Sequence, residues 1–409
     1  MTNLRFILWL FCTTLTWVIV AIVLAFYGTW MTPVADNPAG FERWAIQKIK
    51  EENPGSTAMI LISQGEITGR YFSGPQHVDA NTLFPTASFS KWITALAVMT
   101  LVEQGTLDLD APVARYLRRW QLPPSDFDNN QVTVRRLLSH TAGLTDGLGF
   151  GDYLPDQDLP GLVSTLKAPL SASGVRVIEV GQPPDDFLYS GGGYLILELL
   201  VEEVTGVTFA EYVERAVLNP LNMQRSTYAP IEQFDNFTPN YDTQGNQAPF
   251  YRYASHAATG FASTAADLSR LAEGLLTRNP IRPIKPRTLN LMLEPHGYFA
   301  GSPIWGLGSM LYVTTSQGTT IFGHDGANEP AINASMRLNP GNQSAIIVLT
   351  SGAGLLASNI GSQWVLWQTG LPDFLSIEQV IISALAPILI GSTAILLILV
   401  LWRRKRKSS

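Results

Sequence analysis

Ser88 and Lys91 stand three residues apart, and this pair of residue types could carry out acyl transfer. A serine hydroxyl is a weak nucleophile until a neighbouring base or positive charge activates it, and a lysine can do either. Side chains three residues apart share one face of a helix, so Lys91 is expected to lie beside Ser88. The alternative is that Ser88 only caps the helix and Lys91 is solvated. A second pair with this spacing, Ser164 and Lys167, is interpreted as chance because Pro- and Gly-containing turns flank it.

The segment that carries Ser88 is expected to form a buried helix from Ser88 to Gln104. The stretch before it should be extended, because the residue preceding Pro85 is disfavoured in the α region. Gly105 is a typical C-terminal stop. Apolar side chains occupy most of the helix circumference, which is typical of a buried helix: Trp92, Ile93, Leu96, Ala97, Met99, Leu101 and Val102.

Apolar segments lie near both ends of the chain. Residues 6–27 and 380–402 are each long enough to cross a bilayer. The basic run at 403–407 should keep the C-terminus in the cytoplasm. The two spans should then lie in the plasma or inner membrane, with the region between them outside the cytoplasm. The predicted organisation is an N-terminal transmembrane anchor or signal segment (1–30), a central domain (38–370), a linker (371–379), a transmembrane helix (380–402) and a basic cytoplasmic tail (403–409).

Composition excludes several other function classes. The net charge is −6 although the C-terminal tail is strongly basic, so the domain between the spans is acidic and unsuited to nucleic acid. The single cysteine, Cys12, lies in the first apolar segment, which leaves the domain without disulfides or thiol chemistry. The five histidines show no zinc-site spacing, and no glycine loop is suited to phosphate. We therefore expect neither a metal nor a cofactor.

The pattern of elements predicts one antiparallel sheet built from both ends of the domain. Residues 58–62 and 68–72 flank a polar turn and should form a hairpin. Helical stretches dominate from Ser88 to about residue 280, and a helix over about 354–369 ends the domain. Strands are expected again at residues 305–313, 319–322, 332–338 and 344–350. Helices inserted between the strands of one sheet indicate an α+β domain.

Five ordered blocks follow the serine motif, and with it they resemble the serine β-lactamase and penicillin-binding-protein superfamily. The similarity covers roughly residues 40–370 and is greatest to class C β-lactamases, DD-carboxypeptidases, D-aminopeptidases and related esterases. It implies a β-lactamase/transpeptidase-like α/β (α+β) fold, an antiparallel sheet flanked by helices with an inserted, mainly helical domain, here with terminal transmembrane helices. The blocks span residues 107–113, 137–144, 187–194, 260–268 and 323–328.

The resemblance also implies roles for individual residues. Ser88 matches the nucleophile and Lys91 the lysine that accepts or relays its proton, either as a free base or as a charge that activates its neighbours. Tyr189 matches the general acid/base of the second motif. The backbone N–H groups of Ser88 and Ala327 match the pair that stabilises the oxyanion. His140 lies in a block that resembles a structural loop, so it is expected to be buried and hydrogen-bonded.

Two departures from the family pattern bear on the substrate. Gly191 stands where the second motif normally has an asparagine that grips the substrate amide. His324 and Gly326 belong to a third motif that reads His-Asp-Gly instead of Lys-Thr-Gly, which gives less fixed positive charge for a substrate carboxylate. Gly326 should be required because a strand passing close to the acyl group has no room for a Cβ.

These departures make D-amino-acid peptides of the peptidoglycan type, small amides and esters the expected substrates, more than lactams. The alternatives are an esterase of the β-lactamase-like type and a non-hydrolytic penicillin-binding sensor. Loops 145–185 and 230–256 should set specificity, although they carry no readable signal.

Overall fold

The computed structural model describes residues 3–144, 153–167, 180–181, 185–276 and 283–408. The chain divides into two compact units: residues 1–41 together with 362–409, and residues 42–361. Much of the predicted specificity loop 145–185 lies outside the described residues. All the residues proposed for chemistry lie in the larger unit.

An eight-stranded antiparallel sheet organises the larger unit, in the order β2-β1-β12-β11-β10-β9-β8-β7, and two short two-stranded sheets, β3-β6 and β4-β5, accompany it. The described strands are β1 (Ser56–Ser63), β2 (Glu66–Ser73), β3 (Phe84–Pro85), β4 (Asn240–Tyr241), β5 (Gln247–Ala248), β6 (Ala262–Ser263), β7 (Gly297–Phe299), β8 (Ser302–Trp305), β9 (Met310–Thr314), β10 (Thr320–Asn328), β11 (Ile332–Asn339) and β12 (Ser344–Ser351).

The sheet is completed by the two ends of this unit, which confirms the predicted topology. β1 lies between its hairpin partner β2 and the last strand β12, with Ile60 opposite Ile347. The strand expected over residues 305–313 is instead two strands, β8 and β9. Gly308 separates them with φ +73°, a backbone conformation that glycine adopts without a steric penalty.

Helices cover the sheet and fill the region between β2 and β7. The described helices are α1 (Asn3–Phe26), α2 (Pro38–Glu52), α3 (Ser90–Glu103), α4 (Val134–Leu138), α5 (Leu162–Lys167), α6 (Gly192–Thr205), α7 (Phe209–Val213), α8 (His256–Thr259), α9 (Ala265–Leu276), α10 (Pro286–Met292), α11 (Leu356–Thr369) and α12 (Ile377–Ser408). The fold is the expected antiparallel sheet with flanking and inserted helices.

Helix α3 is the central element, and every residue from Ser90 to Leu101 is buried. It begins two residues later than predicted, because Ser88 belongs to a 3₁₀ turn at Ala87–Phe89. Ala87 has φ +50°, an uncommon conformation for a residue with a Cβ. The Ser90 hydroxyl donates to the Ala87 carbonyl (2.7 Å) and accepts from the Phe261 N–H (3.0 Å), and these two contacts hold the turn.

The smaller unit contains α1 and α12, which pack against each other. Phe6 contacts Arg403, the Trp17 indole N–H donates to the Pro387 carbonyl at 3.1 Å, and Ala25 packs against Ala384. Positions rise along α1 as they fall along α12, so the two helices are antiparallel. Residues 4–26 and 374–405 are long and apolar enough to cross a membrane, by length and composition alone.

Candidate active site

The predicted serine–lysine pair is in direct contact. Lys91 Nζ lies 3.2 Å from Ser88 Oγ and donates to the Ala258 carbonyl oxygen at 2.8 Å. The lysine side chain has no exposed surface, so the alternative of a solvated lysine is wrong. In contrast, Ser164 and Lys167 of the second pair are both exposed on the short helix α5. A buried amine against a hydroxyl is one arrangement that can activate a serine nucleophile.

Tyr189 reaches the same place from a distant segment. Lys91 Nζ lies 5.1 Å from the centroid of the Tyr189 ring and 5.6 Å from that of Tyr194. These distances are within the range of cation–π contacts. Tyr194 is fully buried in α6, whereas Tyr189 is half-buried and so remains accessible to a substrate. The structure therefore brings together the three residues that the motifs assign to catalysis.

His140 holds the backbone on both sides of Tyr189. Its carbonyl oxygen accepts from the Leu188 N–H at 2.7 Å, and its Nδ1 accepts from the Ser190 N–H at 3.1 Å. Its ring also packs on the Tyr189 ring, with 4.4 Å between centroids. Burial first, then the charge of Lys91, holds the pKa of His140 well below its ordinary value, so the imidazole is neutral. The expectation of a buried, hydrogen-bonded histidine is confirmed, but its contact with Tyr189 was missed.

Strand β10 forms the opposite wall of the site. The residue pattern ended this strand at Phe322, whereas the strand continues to Asn328 and includes Gly326, as the resemblance implied. β9 pairs with it only as far as Gly323, so beyond that point this edge of β10 has no strand partner among the described residues. His324, Gly326 and Ala327 lie in this stretch. The backbone N–H groups on such an edge are available to a ligand, as an oxyanion site requires.

His324 is fully buried beside the aromatic rings of Phe89 and Trp305. Its Nδ1 lies 2.5 Å from the Asp325 carbonyl, which can only accept, so the ring proton is on Nδ1. Burial lowers the pKa of His324 to about 3, and the charge of Lys91 acts in the same direction. His324 is therefore neutral near pH 7 and provides no positive charge for a substrate carboxylate.

Gly326 lets β10 pass directly against the turn that carries the nucleophile. A Cβ at this position would lie 2.1 Å from the Thr86 carbonyl oxygen and 2.9 Å from the Ser88 nitrogen. Both distances are far below van der Waals contact, so only glycine fits. Glycine is therefore required, as expected, because the backbone of residues 86–89 leaves no room for a Cβ. Ala327 follows as the next residue on the strand.

Gly191 immediately precedes α6. It has no side chain and therefore no side-chain amide that could contact a substrate. The Ser190 hydroxyl instead caps the helix by accepting from the Gly193 N–H at 2.8 Å. Within the described ranges, no group of three His, Cys, Asp or Glu side chains could hold a metal ion. The Ala258 carbonyl is a functional contact that sequence reasoning could not find, because backbone atoms leave no residue-type signal.

The fold and this site are those of the serine β-lactamase type: an antiparallel sheet, a serine in a 3₁₀ turn, and a lysine in the buried helix that follows it. The chain belongs to the beta-lactamase family, whose model matches residues 41–368.

Individual proteins show the same relationship. Esterase EstB from Burkholderia gladioli is 32% identical over 224 residues, which cover 48% of this chain and 53% of that protein. Penicillin-binding protein 4 from Amycolatopsis lactamdurans is 27% identical over 340 residues, covering 76% of this chain and 84% of its own. The structure of a penicillin-binding protein homologue from Pyrococcus abyssi superimposes with a TM-score of 0.66 at 23% identity, covering 82% of this chain and 78% of that one. The match to EstB thus spans about half the length of that relative.

Proposed function

We propose that this chain is a membrane-anchored, extracytoplasmic hydrolase that forms an acyl-enzyme on Ser88, with small esters, small amides or D-amino-acid peptides as substrates. The observation that carries the proposal is the 3.2 Å contact between Lys91 Nζ and Ser88 Oγ. Lysine is almost never fully buried without a partner, and here its hydrogen-bond partners are a hydroxyl and a carbonyl instead of a carboxylate. The buried Lys91 amine is thereby held next to the proposed nucleophile, Ser88.

In the proposed acylation, Ser88 Oγ attacks the carbonyl carbon of the substrate and its proton passes to the Lys91–Tyr189 pair. A neutral Lys91 would take the proton itself, whereas a charged Lys91 would stabilise a Tyr189 phenolate that takes it. The backbone N–H groups of Ser88 and Ala327 stabilise the oxyanion. The carbon–oxygen or carbon–nitrogen bond then breaks, and the leaving group takes up the proton. Water then attacks the acyl carbon and gives its proton to the same pair. The bond to Ser88 Oγ breaks, Ser88 takes the proton back, and the acid is released.

Uncharged esters are the substrates that this site favours most. His324 is neutral, so a substrate carboxylate gains no ionic contact there. Gly191 has no side-chain amide to hydrogen-bond a substrate amide. Esters need neither contact, whereas penicillins and terminal D-alanyl peptides carry both a carboxylate and an amide.

A substrate panel tests this proposal. We expect kcat/KM for a chromogenic ester to exceed that for a chromogenic cephalosporin by about tenfold or more, since a hydrogen bond to a charged group is worth about 1.5–3 kcal/mol. A D-alanyl dipeptide should lie between them. A stoichiometric adduct that forms without turnover of any substrate would instead indicate a penicillin-binding sensor. The panel would refute an acyl-enzyme on Ser88 if turnover survived in Ser88→Ala.

The proposed topology has both ends of the chain in the cytoplasm. It is supported by the antiparallel packing of α1 and α12 and by the basic cluster at 403–407. A green fluorescent protein fused after Ser409 should fluoresce, and alkaline phosphatase fused there should be inactive. Phosphatase fused within the 371–379 linker should be active. Active phosphatase after Ser409 would overturn the orientation.

A further inference from the structure

Glu198 is a buried carboxyl group that the proposed reaction does not use. It lies in the apolar helix α6 and is only 5% exposed. Burying a carboxyl is costly unless hydrogen bonds compensate. Its Oε2 accepts from the Ala257 N–H at 2.9 Å and from the Ser255 hydroxyl at 3.2 Å. Both donors belong to one short segment, Ser255 with helix α8.

That segment provides the second contact of Lys91. Glu198 holds the N–H of Ala257, and the carbonyl of the next residue, Ala258, accepts from Lys91 Nζ at 2.8 Å. The Ser255 hydroxyl, which donates to Glu198, also accepts from the Ala258 N–H at 3.1 Å. Thr94, one turn beyond Lys91 in α3, donates to the Ala257 carbonyl at 2.8 Å. The peptide groups on both sides of Ala257 are therefore fixed by side chains, and the direction of the Ala258 carbonyl follows from them.

We infer that Glu198 is a positioning residue for the reaction at Ser88: its carboxyl group holds the segment Ser255–Thr259 so that the Ala258 carbonyl fixes the Lys91 amine against the Ser88 hydroxyl. The inference rests on the proposed function of Ser88. It places the control of the lysine in α6, the same helix that follows Tyr189.

The protonation of Glu198 gives this role a pH signature. Burial raises the pKa of Glu198 to about 8, while hydrogen bonds from Ala257 and Ser255 oppose the shift. The other titratable groups that face it are His256, with Nδ1 4.0 Å from Oε1, Glu202 one turn along α6, and Tyr228. Burial lowers the pKa of His256 and raises that of Tyr228 well above its ordinary value, so both stay neutral above pH 6.5.

The sign of the effect follows from the two states of the chain. Between pH 6.5 and 8 the unfolded chain has already lost the Glu198 proton, whereas the folded chain still holds it. The stability contributed by this group therefore falls as pH rises through that window. Folding also lowers the pKa of four histidines, and the unfolded chain loses their protons around pH 6.5, so their contribution to stability rises with pH and overlaps this window. The contribution of Glu198 is therefore measured as the difference between wild type and Glu198→Gln.

The experiment compares Glu198→Gln with Glu198→Leu in the full chain, using the rate of Ser88 labelling by a fluorophosphonate probe. Glutamine retains an acceptor oxygen for both donors, so its labelling rate should stay within about threefold of wild type. Leucine has none, and a displacement of the Ala258 carbonyl by about 1 Å should slow labelling about 10²-fold. The thermal stability of the wild type should also fall relative to that of Glu198→Gln as pH rises from 6.5 to 8. Equal labelling rates in wild type and Glu198→Leu would overturn the inference.

Leu200→Ala is the matched control, because Leu200 is a buried residue of the same helix at about 200° from Glu198 around its axis. It should lose stability without a selective loss of labelling. If Glu198→Leu does not fold, Ser255→Ala and Thr94→Val test the inference in its place. Slower labelling in these variants supports it, and wild-type rates in both overturn it. Absence of labelling in the wild type would instead refute the proposed function.

Discussion

Ser88→Ala should not react with a fluorophosphonate probe, and Lys91→Met should react about 10²–10⁴-fold more slowly than wild type, the range over which a positioned proton acceptor contributes. Methionine is close to lysine in length and keeps the buried volume filled, but it has no amine to contact Ser88 Oγ or the Ala258 carbonyl. The loss should therefore reflect missing chemistry more than a missing side chain. The measurement is the second-order labelling rate, followed by mass spectrometry of the modified peptide.

The chain offers its own control for this experiment. Ser164→Ala and Lys167→Met alter a pair with the same spacing that is exposed on α5. Both variants should label at the wild-type rate. A labelled peptide that contains Ser164, or full labelling of Ser88→Ala, would show that the nucleophile is not Ser88.

Gly326→Ala should have an effect of similar size although it adds a single methyl group. The new Cβ would lie 2.1 Å from the Thr86 carbonyl oxygen and 2.6 Å from the Phe89 nitrogen, both of them backbone atoms that cannot rotate away. Either β10 or the turn at Ala87–Phe89 must move by about 1 Å, which separates the oxyanion donors and should slow acylation about 10²-fold. Overpacking should also cost about 1–3 kcal/mol of stability.

The control for added bulk is Gly354→Ala. Its Cβ would meet nothing within 4 Å, and its backbone is outside the left-handed region. Labelling should be unchanged, and stability unchanged or slightly higher. A Gly326→Ala enzyme that labels within about threefold of wild type would contradict the argument that β10 must touch the nucleophile turn.

The contact between Ser88 and Lys91 could be predicted because it depends on local spacing: side chains three residues apart in a helical turn lie on the same face. The hairpin of β1 and β2 could be predicted for the same reason, since two segments typical of strands flank a short polar turn. Neither prediction requires knowledge of the rest of the chain.

The features that were missed depend on partners far along the chain. The apolar pattern of β10 ends at Phe322, yet Gly323 and His324 continue the strand because β11 pairs with them residue by residue. The start of α3 is set by Phe261, 171 residues from its partner Ser90. Glu198 interrupts the apolar run from Tyr194 to Val201, which could have marked it as unusual but not revealed that it contacts α8.

The pairing of the first strand with the last has a consequence for biosynthesis. Ile60 and Ile347 face each other in β1 and β12, about 290 residues apart. At roughly 5–20 residues per second, the ribosome needs about 15–60 s to deliver the second after the first. During that interval the apolar hairpin of β1 and β2 has an open edge, a known aggregation hazard. Nascent chains should therefore depend on holding chaperones until β12 has emerged.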